Sequence, residues 1–124
     1  MEKNSATRLE DRLIDFSLSV ITVAQTLPST KFGLWLEDQL CRSSTSSALN
    51  YGEARGAESR RDFIHKMKVC QKELRETYNA LRIMRKFHEL HQKPIKDIDP
   101  VLGENNELIA IFVTSIKTAE KANT

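Results

Sequence analysis

Three glutamates, a histidine pair and two cysteines are the side chains of this chain whose types and spacing bear on chemistry. Glu53 precedes a Gly-bearing turn at Gly56, and Glu73 and Glu76 follow it. A chain folded back about residue 57 would bring these carboxylates together from facing helices, as in the acid–base and metal sites of some bundle cores. Such metal sites also draw a histidine from a Glu-x-x-His spacing, which this sequence lacks. The same fold-back sets Arg42 level with Glu73. A guanidinium is shaped for bidentate pairing with a carboxylate, so a contact from Arg42 to Glu73 or Glu76 is expected, fixing helix register more than adding stability.

The run His88-Glu89-Leu90-His91 has its histidines three apart. A zinc-binding HExxH helix needs them four apart, with glutamate as base. Two histidines at a helix C-terminus, favoured there by the helix dipole, are the expectation. Cys41 and Cys70 are the two cysteines and make neither a CxxC pair nor a disulfide framework, so reduced structural thiols are expected. The glycines at 33, 52, 56 and 103 form no phosphate-cradling GxGxxG or Walker pattern. No catalytic, cofactor-binding or metal-ligating residue is assigned, and the chain is read as a non-enzyme without cofactor.

A chain of 124 residues, 40% hydrophobic and 29% charged, fits one soluble domain spanning 1–124. No apolar run approaches the ~18 residues of a membrane span. The opening MEKNSATRLEDR mixes acids and bases with no apolar stretch before a cleavage site, so cytoplasmic residence is expected.

The elements that position these residues follow from apolar spacing. Leu9, Leu13, Phe16, Val20, Val23 and Leu27 alternate by four and three, the seam of a first helix over about 8–27. Pro28-Ser29-Thr30 breaks it and supplies the next N-cap. A second helix, about 31–55, turns Leu36, Leu40, Ser43, Ser47, Asn50 and Ala54 inward. Its Ser43–Ser47 block also suits a linker, but the phase runs unbroken from Leu40 to Ala54, and serines on a packed face imply a close helix approach. Gly56 suits a left-handed C′ position, and Ser59 with Asp62 resembles a capping box. The third helix, about 59–91, carries Phe63, Met67, Cys70, Leu74, Thr77, Leu81, Met84 and His88 in strict four-three order. A loop with Pro94 follows, and Asp99-Pro100 reads as N-cap and N1 of a fourth helix over about 100–121. Its apolar stripe is Leu102, Leu108, Ile111, Phe112, Ser115, Ile116 and Ala119. Four helices on short connections predict an all-α, antiparallel, up-and-down four-helix bundle. Phe32, Leu34 and Trp35 exceed one core stripe, a sign of a second buried face near the start of the second helix.

Charge is unevenly spread. Residues 59–97 hold 11 Lys and Arg against 5 Asp and Glu, whereas the rest holds 8 against 12. On a helical wheel Arg61, Lys68, Lys72, Arg75, Arg82 and Lys86 share the outer stripe of the third helix. Over roughly 35–40 Å, at ~1.5 Å per residue, this ridge is long enough to follow several phosphates of RNA or DNA, or an acidic protein. A plain solvated face, with Lys72–Glu76 and Arg85–Glu89 pairs, is the competing reading. No aromatic residue interleaves with the ridge, so any nucleic-acid contact would be to the backbone and salt-sensitive.

The stretches QL-x-RS, NYGEA, GAES, DFIHK and KELRETYNAL, with RLIDF before them and ELIAIFVTSIKT after, resemble the four-helix-bundle family encoded in intervening sequences of bacterial large-subunit ribosomal RNA genes. The resemblance covers nearly the whole chain. It implies a left-handed up-and-down bundle that assembles into a ring-shaped homopentamer, without enzymatic activity or cofactor. A related branch, the accessory variability determinant proteins of diversity-generating retroelements, is basic and binds nucleic acid and the polymerase. This chain is less basic than that branch. Gln39, Arg42, Ser43, Asn50, Glu53, Ser59, Lys66, Glu73 and Glu76 match the family pattern and are carried over as structural or interface polar residues. The expected function is a self-associating interaction bundle that binds nucleic acid or a ribonucleoprotein through the ridge. The alternative is an assembly module with no nucleic-acid role.

Overall fold

The computed structural model describes residues 4–93 and 95–122. Four helices, α1 (Ser5–Ala24), α2 (Lys31–Arg55), α3 (Arg60–Leu90) and α4 (Ile98–Lys121), account for nearly all of them. Each packs against its sequence neighbours, α4 closes back on α1 with the slightest contact of the four, and across the diagonal α2 and α4 meet through side chains, Tyr51 against Phe112. Cross-helix pairs set the directions. Glu10 meets Arg55, Arg42 meets Glu73, and Lys68 meets Glu120, so successive helices run antiparallel in a four-helix bundle. No helix among the described residues is long and apolar enough to cross a membrane.

The four-three stripes form the core. Leu13, Phe16 and Val20 meet Leu36 and Leu40, Met67, Leu74, Leu81 and Met84, and Leu108 and Phe112, all essentially inaccessible to water. Halfway along α2 the bulky residues give way to buried Ser43, Ser44 and Ser47. Ser17 Oγ shares its hydrogen between the Leu13 and Ser44 carbonyls, at 2.9 and 2.8 Å. Ser44 and Ser47 donate within α2, to the carbonyls of Leu40 and Ser44. Thr77 Oγ1 hydrogen-bonds Ser43 Oγ at 2.7 Å and the Glu73 carbonyl at 2.9 Å. From α4, Asn105 Nδ2 donates to the Leu74 carbonyl at 3.0 Å. All four helices thus contribute to one polar layer within the core.

The helix ends differ from expectation in physically clear ways. α1 stops at Ala24 because the chain tightens to i→i+3 bonds, Thr26 N–H to Val23 and Leu27 N–H to Ala24, while Leu27 stays buried. Asn4, Thr30 and Ser59 cap α1, α2 and α3, each accepting from the backbone N–H three residues on. Gly56 is not left-handed: its φ is −99°, and α2 ends on a 3₁₀-like turn instead. The left-handed residue is Gln92, at φ 54°. Its N–H bonds the Glu89 carbonyl and that of Lys93 bonds the His88 carbonyl, the two bonds of a Schellman motif closing α3. α4 begins at Ile98, with left-handed Asp97 at its N-cap and no side-chain cap bond. Asp99-Pro100 is therefore not the N-cap and N1 pair. Pro100 is third in the helix, within the turn whose N–H groups have no intrahelical acceptor in any case. Pro94 lies outside the described residues.

Candidate interaction surfaces

Ser59 starts α3 and buries its apolar stripe, which leaves the opposite face to Arg61, Lys68, Lys72, Arg75, Arg82 and Lys86, all exposed. Their environments are not alike. Lys68 Nζ is 3.4 Å from Glu120, Lys72 Nζ is 3.9 Å from Glu73, and Arg82 reaches Asn79 at 3.3 Å and lies over the Tyr78 ring. Arg61, Arg75 and Lys86 have neither an ion pair nor a hydrogen bond among the described residues. Arg85, just off the ridge, pairs with Asp99 at 3.0 Å and Glu89 at 3.9 Å. The Lys72–Glu76 pair expected from spacing does not form, because Glu76 is taken by Arg42.

Arg42 is the hub of the flank where α2 meets α3. Its Nη1 is 3.3 Å from Glu73 Oε2, its Nη2 contacts Glu76, and Gln39 Oε1 accepts from Nη2 at 3.4 Å. Glu73 is buried, and burial pushes its carboxyl above the usual range; the charge of Glu76 adds to this and Arg42 opposes it. Further along, Lys66 Nζ donates to Glu53 at 2.8 Å. Asn50 stays on its own helix, bonding the Ser46 carbonyl and hydroxyl at 2.8 and 2.9 Å. Six of the seven expected network residues therefore form two cross-helix clusters, and Asn50 joins neither. Glu53 lies with Lys66 while Glu73 and Glu76 flank Arg42, so the three carboxylates do not share one site.

His88 and His91 diverge. His88 is in the core, where burial lowers its pKa, while exposed His91 stacks on Phe87 at 4.4 Å and hydrogen-bonds the Phe87 carbonyl. Both cysteines are free; burial pushes the Cys70 thiol up to about 12 and raises that of half-buried Cys41.

The same flank carries an aromatic cluster. Phe32 stacks on Phe87 at 4.9 Å and lies 6.3 Å from Trp35, with Ile83 and Leu90 exposed nearby. Trp35 is 54% and Leu90 81% exposed, large values for such residues. The surplus of Phe32 and Trp35 was visible in the sequence; their α3 partners were not recognised. The missed signal is a second four-three series, Val69, Glu73, Glu76, Ala80, Ile83, Phe87 and Leu90, beside the core stripe of α3.

Residues 8–111 match the model of the family described as 23S rRNA-intervening sequence protein. The crystal structure of a protein of unknown function from the S23 ribosomal protein family of Bacteroides thetaiotaomicron VPI-5482 has the same fold, with a TM-score of 0.77 at 24% identity, over 90% of this chain and 97% of that one. No curated protein matches the chain.

Proposed function

Because the chain belongs to the 23S rRNA-intervening sequence protein family, we propose that it is a non-enzymatic, self-associating cytoplasmic bundle that binds nucleic acid or a ribonucleoprotein along the α3 ridge. One observation carries this reading: Arg61, Arg75 and Lys86 are exposed along one helix with no partner among the described residues. Lys68, Lys72 and Arg82 add charge through long or neutral contacts that a phosphate can displace. Such a ridge contacts phosphates and reads no base edges, so binding tolerates sequence and falls steeply with salt.

Self-association draws on the α2–α3 flank. Phe32, Trp35, Ile83, Phe87 and Leu90 offer an apolar patch beside the Arg42 cluster, the mix of aromatic and arginine that interfaces favour. The family resemblance supplies the expectation of a pentamer. The flank also favours a second reading, an assembly module with no nucleic-acid role, in which the ridge is a solvated face or meets an acidic protein.

The test is retention of labelled structured RNA and duplex DNA across a salt series, with mass recorded by light scattering in the same buffers. Neutralising three to six phosphates gives a slope of about −3 to −5 in log K against log salt. Charge reversal at Lys68, Lys72, Arg75 and Arg82 abolishes retention under the first reading. Retention unchanged by those reversals removes the ridge from the function, and an oligomer indifferent to nucleic acid at low salt leaves the assembly module.

A further inference from the structure

α1 and α4 make the slightest helix contact of the bundle, and where their seam opens onto the end of α2 and the start of α3, two adjoining grooves of about 770 and 670 Å³ share Ala6, Tyr51 and Ser115. Each volume lies in the range of small-molecule sites. Tyr51 is 94% withdrawn from solvent by the bundle, its ring edge-on to Phe112 at 5.7 Å, yet its hydroxyl makes no hydrogen bond among the described residues. Burial raises its pKa, Arg55 opposes and the nearby Glu10 carboxylate adds to the rise, so the hydroxyl keeps its hydrogen. The ring is buried, but the hydroxyl opens onto the two grooves it borders and is free to donate into them.

The lining is one-sided in charge. Arg8, Arg12, Arg55 and Arg60 border the two grooves and no aspartate or glutamate does. Arg12 is held by Glu104 and Arg55 by Glu10, at 2.7 and 2.9 Å. Arg8 and Arg60 have no ion pair among the described residues. Between the arginines the walls are short and apolar, chiefly Ala6, Leu9, Ala54 and Ala119.

We propose that the two grooves bind a small amphiphile with one carboxylate, its apolar body along the alanine-lined walls and its head accepting from the Tyr51 hydroxyl of α2 and the Arg60 guanidinium of α3. The hydroxyl exchanges water for a charged acceptor, the unpaired arginine gains a counter-ion, and the alkyl body covers apolar wall left open in the grooves. A cationic amphiphile of the same size finds no counter-charge in this lining.

Octanoate is the probe, with 1-octanol as its uncharged match, each titrated into the full-length protein while the alanine methyl resonances are followed by NMR. Octanoate shifts Ala6, Ala54 and Ala119 in one saturable process, and octanol binds at least about fivefold more weakly. Tyr51→Phe keeps the ring and Arg60→Gln alters an exposed residue; each weakens octanoate by about five- to tenfold and leaves octanol unchanged. Thermal melting of the variants confirms that they fold. Equal affinity for octanoate and octanol, variants that bind octanoate as tightly as the parent, or shifts confined to residues away from the seam would each overturn the proposal.

Discussion

Arg42 on α2 reaches over the helix boundary to Glu73 on α3, Nη1 to Oε2 at 3.3 Å, with the carboxylate buried and the guanidinium exposed. Burial nevertheless outweighs the pairing, since the Glu73 carboxyl is held above its ordinary range. The contact thus specifies which turns face each other more than it stabilises the fold.

The sign of the pH dependence follows. A carboxyl whose folded pKa is raised contributes stability that is complete below the ordinary carboxylate range and is lost as pH rises through the raised value. Glu73→Gln is therefore expected to melt higher than the parent at about pH 7 and to lose that advantage near about pH 4. Arg42→Ala leaves Glu73 buried against Glu76 and costs about 1–2 kcal/mol at neutral pH, less in acid. Melting curves of the three proteins at both pH values decide this, and a Glu73→Gln difference that does not change with pH contradicts it.

Two backbone positions predict opposite outcomes. Gln92 carries a left-handed conformation that glycine adopts without strain, so Gln92→Gly stabilises by about 0.5–1 kcal/mol. At Gly33 an added Cβ would overlap the Pro28 carbonyl oxygen, so Gly33→Ala destabilises by about 1–3 kcal/mol. Denaturant titration reads both; a destabilised Gln92→Gly or a neutral Gly33→Ala would refute the corresponding geometry.

The cysteines are expected to separate kinetically. With its thiol pushed up to about 12, Cys70 is unreactive toward a disulfide reagent at about pH 8, while half-buried Cys41 reacts slowly. One thiol per chain should titrate in the native protein and both in guanidinium. Two fast native thiols would contradict the burial of Cys70.

Assembly through the aromatic flank predicts that Phe87→Glu lowers the mass seen by light scattering to that of one chain while the melting transition persists. A parent protein that is already a single chain, or a variant that keeps the parent mass, removes this flank from self-association.

The core of the bundle was legible because a four-three stripe has one meaning on a helix that must bury one face. Phe63 to His88 in α3 shows this, as does the serine stretch of α2, where unbroken phase outweighed poor helix propensity. Arg42 was placed by the same logic, since residues equidistant from a turn end level. Gly56 and Asp99-Pro100 misled because local preference names candidates for a terminus, while side-chain packing and alternative turn bonds choose among them. The Phe32–Phe87 stack was out of reach for a different reason: a half-exposed aromatic has no strong periodic signature, and recognising one needs both helices at once. Tyr51 gave no sign that its hydroxyl opens onto the grooves, because the spacing that buries a ring says nothing about what its oxygen meets.

The polar layer at Ser17, Ser43, Ser44, Thr77 and Asn105 has a consequence for uniqueness. Apolar stripes are nearly degenerate: one helix shifted by a turn, ~5.4 Å, still sets leucine against leucine and buries a similar area. Directed bonds do not survive that shift. Ser17 to Ser44 ties α1 to α2, Ser43 to Thr77 ties α2 to α3, and Asn105 to Leu74 ties α3 to α4. Slippage at any of these three boundaries strands a buried donor or acceptor that the native alignment satisfies. A few hydroxyls and one amide thereby choose among arrangements that the greasy part of the core cannot tell apart.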